Sequence, residues 1–117
     1  MNYLEAAREI TVIIPDLKDE WKNDTANSYA IIQTFTDTIK KMIRQNDSNL
    51  LFKCLKKMDE FYRNGDVILK NAIENTFIYS LDNSTAFCSE EYRKMIFSHI
   101  SKELQTVYSR QIYSHGT

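Results

Sequence analysis

Residues that make turns are scarce in this chain: Pro15 is the one proline, and Gly65 and Gly116 are the two glycines in 117 residues. A β-rich domain needs frequent tight turns, and those draw on residues that fix φ or tolerate positive φ. The scarcity therefore argues against a turn-rich β architecture and for long uninterrupted helices. The glycines stand alone, so no glycine-rich loop exists to cradle a phosphate. Two cysteines, Cys54 and Cys88, form no CxxC pair; both are flanked by apolar residues and read as buried free thiols of a cytosolic protein. The two histidines, His99 and His115, belong to no HExxH or paired-cysteine pattern. No apolar run approaches the roughly 18 residues of a membrane span. The opening "MNYLEAAREITVIIPD" has no basic segment leading into an apolar core, so it does not read as a signal peptide. The expectation is a cytoplasmic protein with no membrane partner.

Charge of one sign is also lacking, since 15 basic and 16 acidic residues leave a net charge of -1. The distribution is uneven. Residues 1–36 carry six acids against three bases, and residues 37–65 carry seven bases against four acids. This lean is enough to steer a partner weakly, and a solvated helix face explains it equally well.

What is present is an ordinary globular balance, 43% hydrophobic and 26% charged. A chain of this length is expected to form a single domain, 1–117, that buries about two thirds of its unfolded surface without metal or disulfide. The apolar residues repeat at three- and four-residue spacing. Tyr3, Leu4, Ala7, Ile10 and Ile14 predict a helix over 2–14 that stops at Pro15. Asp16 is placed to cap a short helix over 17–23, and "NDTANS" at 23–28 breaks the chain. Ile32, Phe35, Ile39 and Met42 line a helix over 29–45, closed by "QNDSN" with Asp47 or Ser48 as the next cap. Leu51, Cys54, Leu55, Met58, Phe61 and Tyr62 line the next, over 50–63. Arg63-Asn64-Gly65 reads as its C-terminus, with the glycine in the left-handed position.

Asp66 restarts the chain into "VILKNAIENTFIYSL" at 67–81. Leu69, Ala72, Ile73, Thr76, Phe77 and Ser80 share a face, while Val67, Ile68 and Ile78 add apolar surface outside it. A helix apolar nearly all round is touched from several sides, so this one belongs at the centre. "DNSTAF" at 82–87 is the next break, and Ser89 before Glu90 and Glu91 starts the last run. Ser101 is a possible second cap within 90–113, leaving one helix or two open. The predicted fold is all-α: a compact array of five or six antiparallel or angled helices, with stacked hairpins as one arrangement open to it.

No constellation rises to a catalytic or metal-binding reading, and no cofactor is implied. His99, Cys88 and Glu91 make an imaginable metal set, but they read better as ordinary surface or half-buried residues. Cys88 and His99 lie about three helical turns apart, beyond hydrogen-bond reach as nucleophile and base. Glu5 with Glu9, and Asp16 with Asp19 or Glu20, fall in polar runs and read as solvated faces. Lys40, Lys41, Arg44, Lys53, Lys56 and Lys57 lie on two successive helices as candidates for one basic surface, yet the positive excess is small for neutralising many phosphates. Two features point to a partner instead. Glu74 sits between Asn71 and Asn75 on the narrow polar strip of the central helix. Seven tyrosines occur in 117 residues, and tyrosine is enriched at interfaces.

The stretch "LLFKCLKKMDEFYRNGDVILKNAIENTFIYSL", Leu50 to Leu81, with "ELQTVYSRQI", Glu103 to Ile112, resembles a family of small, uncharacterised all-helical bacterial domains. That family includes proteins proposed as immunity partners in toxin systems. There one helix ends at a Gly-Asp pair and the next runs from an Asn-Ala-Ile-like triplet toward an aromatic, as at Gly65-Asp66 and Asn71-Ala72-Ile73 here. The resemblance implies a cytoplasmic helical domain that binds and neutralises a protein, and it transfers no catalytic residue. The expectation is a non-enzymatic protein-binding domain, with an immunity-type inhibitor as its specific form and contacts at Asp19, Glu20, Tyr29, Asn71, Glu74 and Asn75. The alternative is a small regulatory or nucleic-acid-associated helical protein.

Overall fold

Asn2 opens the first helix by accepting the Glu5 N–H at 3.1 Å, which satisfies one of the orphan donors at the start of α1 (Tyr3–Ile13). The computed structural model describes residues 1–21 and 27–115; among them every regular element is helical, and the fold is all-α. α1 stops before Pro15, and the chain folds back on it as a 3-10 segment, Pro15–Trp21. This tighter winding replaces the α-helix expected over 17–23, whose last residues, like most of the 23–28 break, lie outside the described residues.

Asn27 caps α2 (Ser28–Gln45) by accepting the Ala30 N–H at 2.9 Å. The same helix ends in left-handed Asn46 (φ 56), whose N–H meets the carbonyls of Met42 and Ile43. α3 (Ser48–Asn64) follows Asp47, which occupies the N-cap position without making a side-chain capping bond. At its other end Gly65 corrects the expectation of a left-handed cap, because its backbone is extended (φ -73, ψ 157). The glycine is required by space. A Cβ there would press on the Phe61 carbonyl oxygen and lie 2.9 Å from Leu69 Cδ2.

Asp66 accepts the Leu69 N–H at 2.8 Å and starts a rod that continues without interruption through α4 (Val67–Ala72), a π-helical stretch (Ile73–Ile78) and α5 (Tyr79–Thr85). The break expected at 82–87 therefore comes late. Ser84 and Thr85 donate their hydroxyls to the carbonyls of Ser80 and Leu81 at 2.7 and 2.9 Å, so these turn-prone residues fold back onto the helix.

Ser89 caps α6 (Glu90–Ser98), and the run from 90 to 113 is two helices, with α7 (Lys102–His115) beginning after Ser101. The corner is fastened from outside. Ser101 donates its N–H to both Asp59 carboxylate oxygens, at 3.1 and 3.0 Å, while its own hydroxyl accepts the Leu104 N–H. Burial raises the Asp59 carboxyl above its ordinary range, with the bonds from Ser101 opposing.

The core draws Ile31, Ile32, Phe35 and Ile39 from α2, Leu51, Leu55, Met58 and Phe61 from α3, and Leu69, Ile73 and Phe77 from the rod. The rod packs on α2, α3 and α7, which places 67–81 at the centre of the array, as its nearly all-round apolar pattern implies.

Candidate functional site

The π-wound stretch of the rod sets the geometry of the polar strip. Glu74 does not look outward. It is half-buried, and its carboxylate accepts the Tyr62 hydroxyl at 2.8 Å. Its backbone carbonyl accepts Gln111 Nε2, also at 2.8 Å. Glu74 is thus a strut joining α3, the rod and α7. Burial, and then the neighbouring Glu74 carboxylate, push the Tyr62 phenol up to about 12.

Asn71 and Asn75 are exposed, as the sequence pattern implies. Asn75 Nδ2 donates to Tyr29 Oη at 3.4 Å, which brings α2 alongside the rod at this point. One turn further on stands Tyr79, missed in the sequence reading. It is 61% exposed, against 46% for Tyr29. A tyrosine four residues beyond Asn75 on the same face was the available signal. Tyr79 also lines a depression of about 380 Å³ with Asp82, Asn83, Tyr108 and the exposed Ile112. Asp19 and Glu20 are exposed as well, but they stand on the 3-10 segment against α1 rather than on the rod. The structure therefore joins Tyr29, Asn71 and Asn75 on one face, turns Glu74 inward and leaves Asp19 and Glu20 on another element.

Below Tyr79 the rod is locked to the last two helices. Arg93 donates to Asp82 at 3.1 Å and to Tyr108 Oη at 2.8 Å, and Tyr108 donates to the same Asp82 carboxylate at 2.7 Å. Burial, and then the bond to Asp82, push the Tyr108 phenol up to about 12.

The basic residues fall into separate settings. Lys57 reaches Glu60 at 2.9 Å and Glu9 at 3.2 Å, and the hydrogen bond to Glu60 is the largest cause of its raised pKa. Lys53 and Lys56 line a shallow recess of about 390 Å³ with Phe52 and His99, whose rings stack at 3.7 Å. Lys40 and Arg44 line a larger cleft of about 630 Å³, walled by Asn83, Phe87, Cys88 and Tyr92. Asn83 thus faces both this cleft and the depression beneath Tyr79.

Cys88 and His99 stand in different recesses, which removes the nucleophile-and-base pairing. Among the described residues no group of three or more His, Cys, Asp or Glu side chains is placed to hold a metal ion. Cys54 is buried, and burial followed by the charge of Asp47 pushes its thiol up to about 12. Cys88 is half-buried against the cleft, so the expectation of two buried thiols holds for Cys54 alone. Among the described residues no helix is long and apolar enough to cross a membrane.

Neither a curated protein nor a solved structure matches the chain. A family model does, across residues 7–114, the helical array from α1 into α7, and on that match the chain belongs to the family described as Domain of unknown function (DUF7674).

Proposed function

We propose that this domain is a non-enzymatic protein-binding module of the cytoplasm, and that it acts as an immunity-type inhibitor by covering the working surface of a bacterial toxin. The supporting observation is the pair Tyr29 and Tyr79, 46% and 61% exposed, set about Asn75 on a rod whose opposite side is fixed in the core. Tyrosine offers a large, stiff contact area with a polar end. A rigid helical rod loses little freedom when a partner docks, so less of the interaction energy is spent on ordering. Occlusion by a preformed surface is the mechanism that suits these features. The resemblance of residues 50–81 to domains proposed as immunity partners supports the same reading. The basic residues support nucleic acid less, since Lys57 is neutralised by two carboxylates, while Lys53 and Lys56 line one recess and Lys40 and Arg44 another.

The test is site-specific photocrosslinking in native-host lysate, with the reactive residue in place of Tyr79 or, as a control, of the exposed Lys94. Position 79 is expected to capture one protein in a 1:1 adduct, and the Tyr29→Ala/Tyr79→Ala pair is expected to weaken that complex at least about tenfold with unchanged melting. The purified partner's toxic activity is expected to fall to zero at equimolar inhibitor. Capture from position 94 alone, or undiminished affinity in the double variant, would show the face to be misassigned.

A further inference from the structure

The cleft beside α2 has the makings of a small-molecule site. Its volume, about 630 Å³, lies within the range of about 300–1,000 Å³ typical of ligand pockets. No acidic side chain is among its lining residues, and Lys40 and Arg44 supply two cations one helical turn apart on α2. Arg44 makes no ion pair among the described residues; Asp37 approaches Lys40 only at 4.0 Å. Phe87 also lines the cleft and is 102% exposed in the short link between α5 and α6, so its ring is packed against nothing. Asn83 adds an amide group, and the Ser84 hydroxyl, whose proton goes to the Ser80 carbonyl, adds an acceptor.

These groups match one ligand chemistry: a phosphate beside a planar aromatic ring. A phosphate is held by paired cations through charge-assisted bonds. A nucleobase stacks on an exposed aromatic face irrespective of its identity. We propose that the cleft binds a mononucleotide, with the phosphate on Lys40 and Arg44, the base on Phe87 and the ribose and base edges within reach of Asn83 and Ser84. This site is separate from the Tyr29–Tyr79 face and does not depend on that face having a protein partner.

The test titrates the full chain by calorimetry with AMP, GMP, adenosine, inorganic phosphate and a 5′-phosphorylated tetranucleotide at low salt. Cys88 supplies a second readout, because it lines the cleft while Cys54 is buried, so alkylation of the folded protein reports on Cys88. The mononucleotides are expected to bind and to slow Cys88 labelling, with adenosine and phosphate each at least about tenfold weaker. Lys40→Ala and Arg44→Ala are each expected to weaken binding about tenfold or more. Phe87→Ala is expected to weaken it about fivefold or more, and a fully exposed side chain can be removed without harm to the fold. Binding of phosphate as tight as AMP would reduce the site to a simple anion site and overturn the proposal. Tighter binding of the tetranucleotide would move the assignment to nucleic-acid ends and overturn it equally. No heat and no protection by either mononucleotide would end it.

Discussion

Single positions in this fold answer to space as often as to dihedral preference, and Gly65 is the clearest instance. Its extended backbone would suit any residue, yet a Cβ would meet both the Phe61 carbonyl and the Leu69 side chain. Gly65→Ala is accordingly expected to destabilise the domain by about 1–3 kcal/mol, read as a lowered urea midpoint with unchanged slope. An unchanged midpoint would mean that the start of α4 shifts without strain. From sequence alone the glycine was rightly placed at a helix end and given the wrong reason. A linear chain shows which residue accepts a left-handed turn, but not which one lies under a neighbouring side chain. The left-handed position fell instead to Asn46, inside a polar run where several residues were equally eligible. Glu74 shows the same limit. It was legible as a polar residue on the central helix, but its contact with Tyr62 depends on how α3 and the rod cross.

At the scale of elements, the helical phases were legible because the apolar repeat is strong, and Asn2, Asp66, Ser89 and Ser101 stand where short polar side chains cap a helix. The departures have local causes. Pro15 starts a 3-10 segment, whose shorter period is hard to tell from an α-turn over so few residues. The π-wound stretch is likewise too short to disturb the apolar pattern visibly. Polar composition at 82–85 signalled a break, although its hydroxyls bond within the helix. The α6–α7 corner rests on Asp59, a residue far away in sequence. Asp59→Ala is expected to cost about 1–3 kcal/mol by leaving the Ser101 N–H without its acceptor, and to speed amide exchange at Ser101 and Leu104. Asp59→Asn, which keeps an acceptor oxygen, is expected to recover most of the loss. Equal damage from both variants would show that the charge, rather than the bond, holds the corner.

The whole molecule is held by one core and by polar joints at its margin. Two of those joints end in phenols, Tyr62 on Glu74 and Tyr108 on Asp82, each raised from 10.0 to about 12 in the fold. A folded pKa above the unfolded value means that the native state holds the proton more tightly. The stability from these groups is thus fully present below pH 10 and is lost as the pH climbs from 10 toward 12. Base titration followed by phenolate absorbance and circular dichroism is expected to show two late phenols ionising together with unfolding. Tyr62→Phe is expected to remove one of them; early, independent ionisation of all phenols would contradict both joints. At this scale the sequence served well for the core and poorly for the surface. Burial is written in periodicity, whereas exposed features such as Tyr79 and Phe87 acquire meaning only from the elements around them.

Asn83 occupies an unusual place, since it faces the depression beneath Tyr79 on one side and the cation-lined cleft on the other. Occupants of these two surfaces would press on opposite sides of the same partition. Any coupling between them must then be mutual: a small molecule that loosens a docked protein by some factor is itself loosened by that protein to the same degree. Were a mononucleotide in the cleft and a protein at Tyr79 coupled through Asn83, the level of the one would tune the retention of the other.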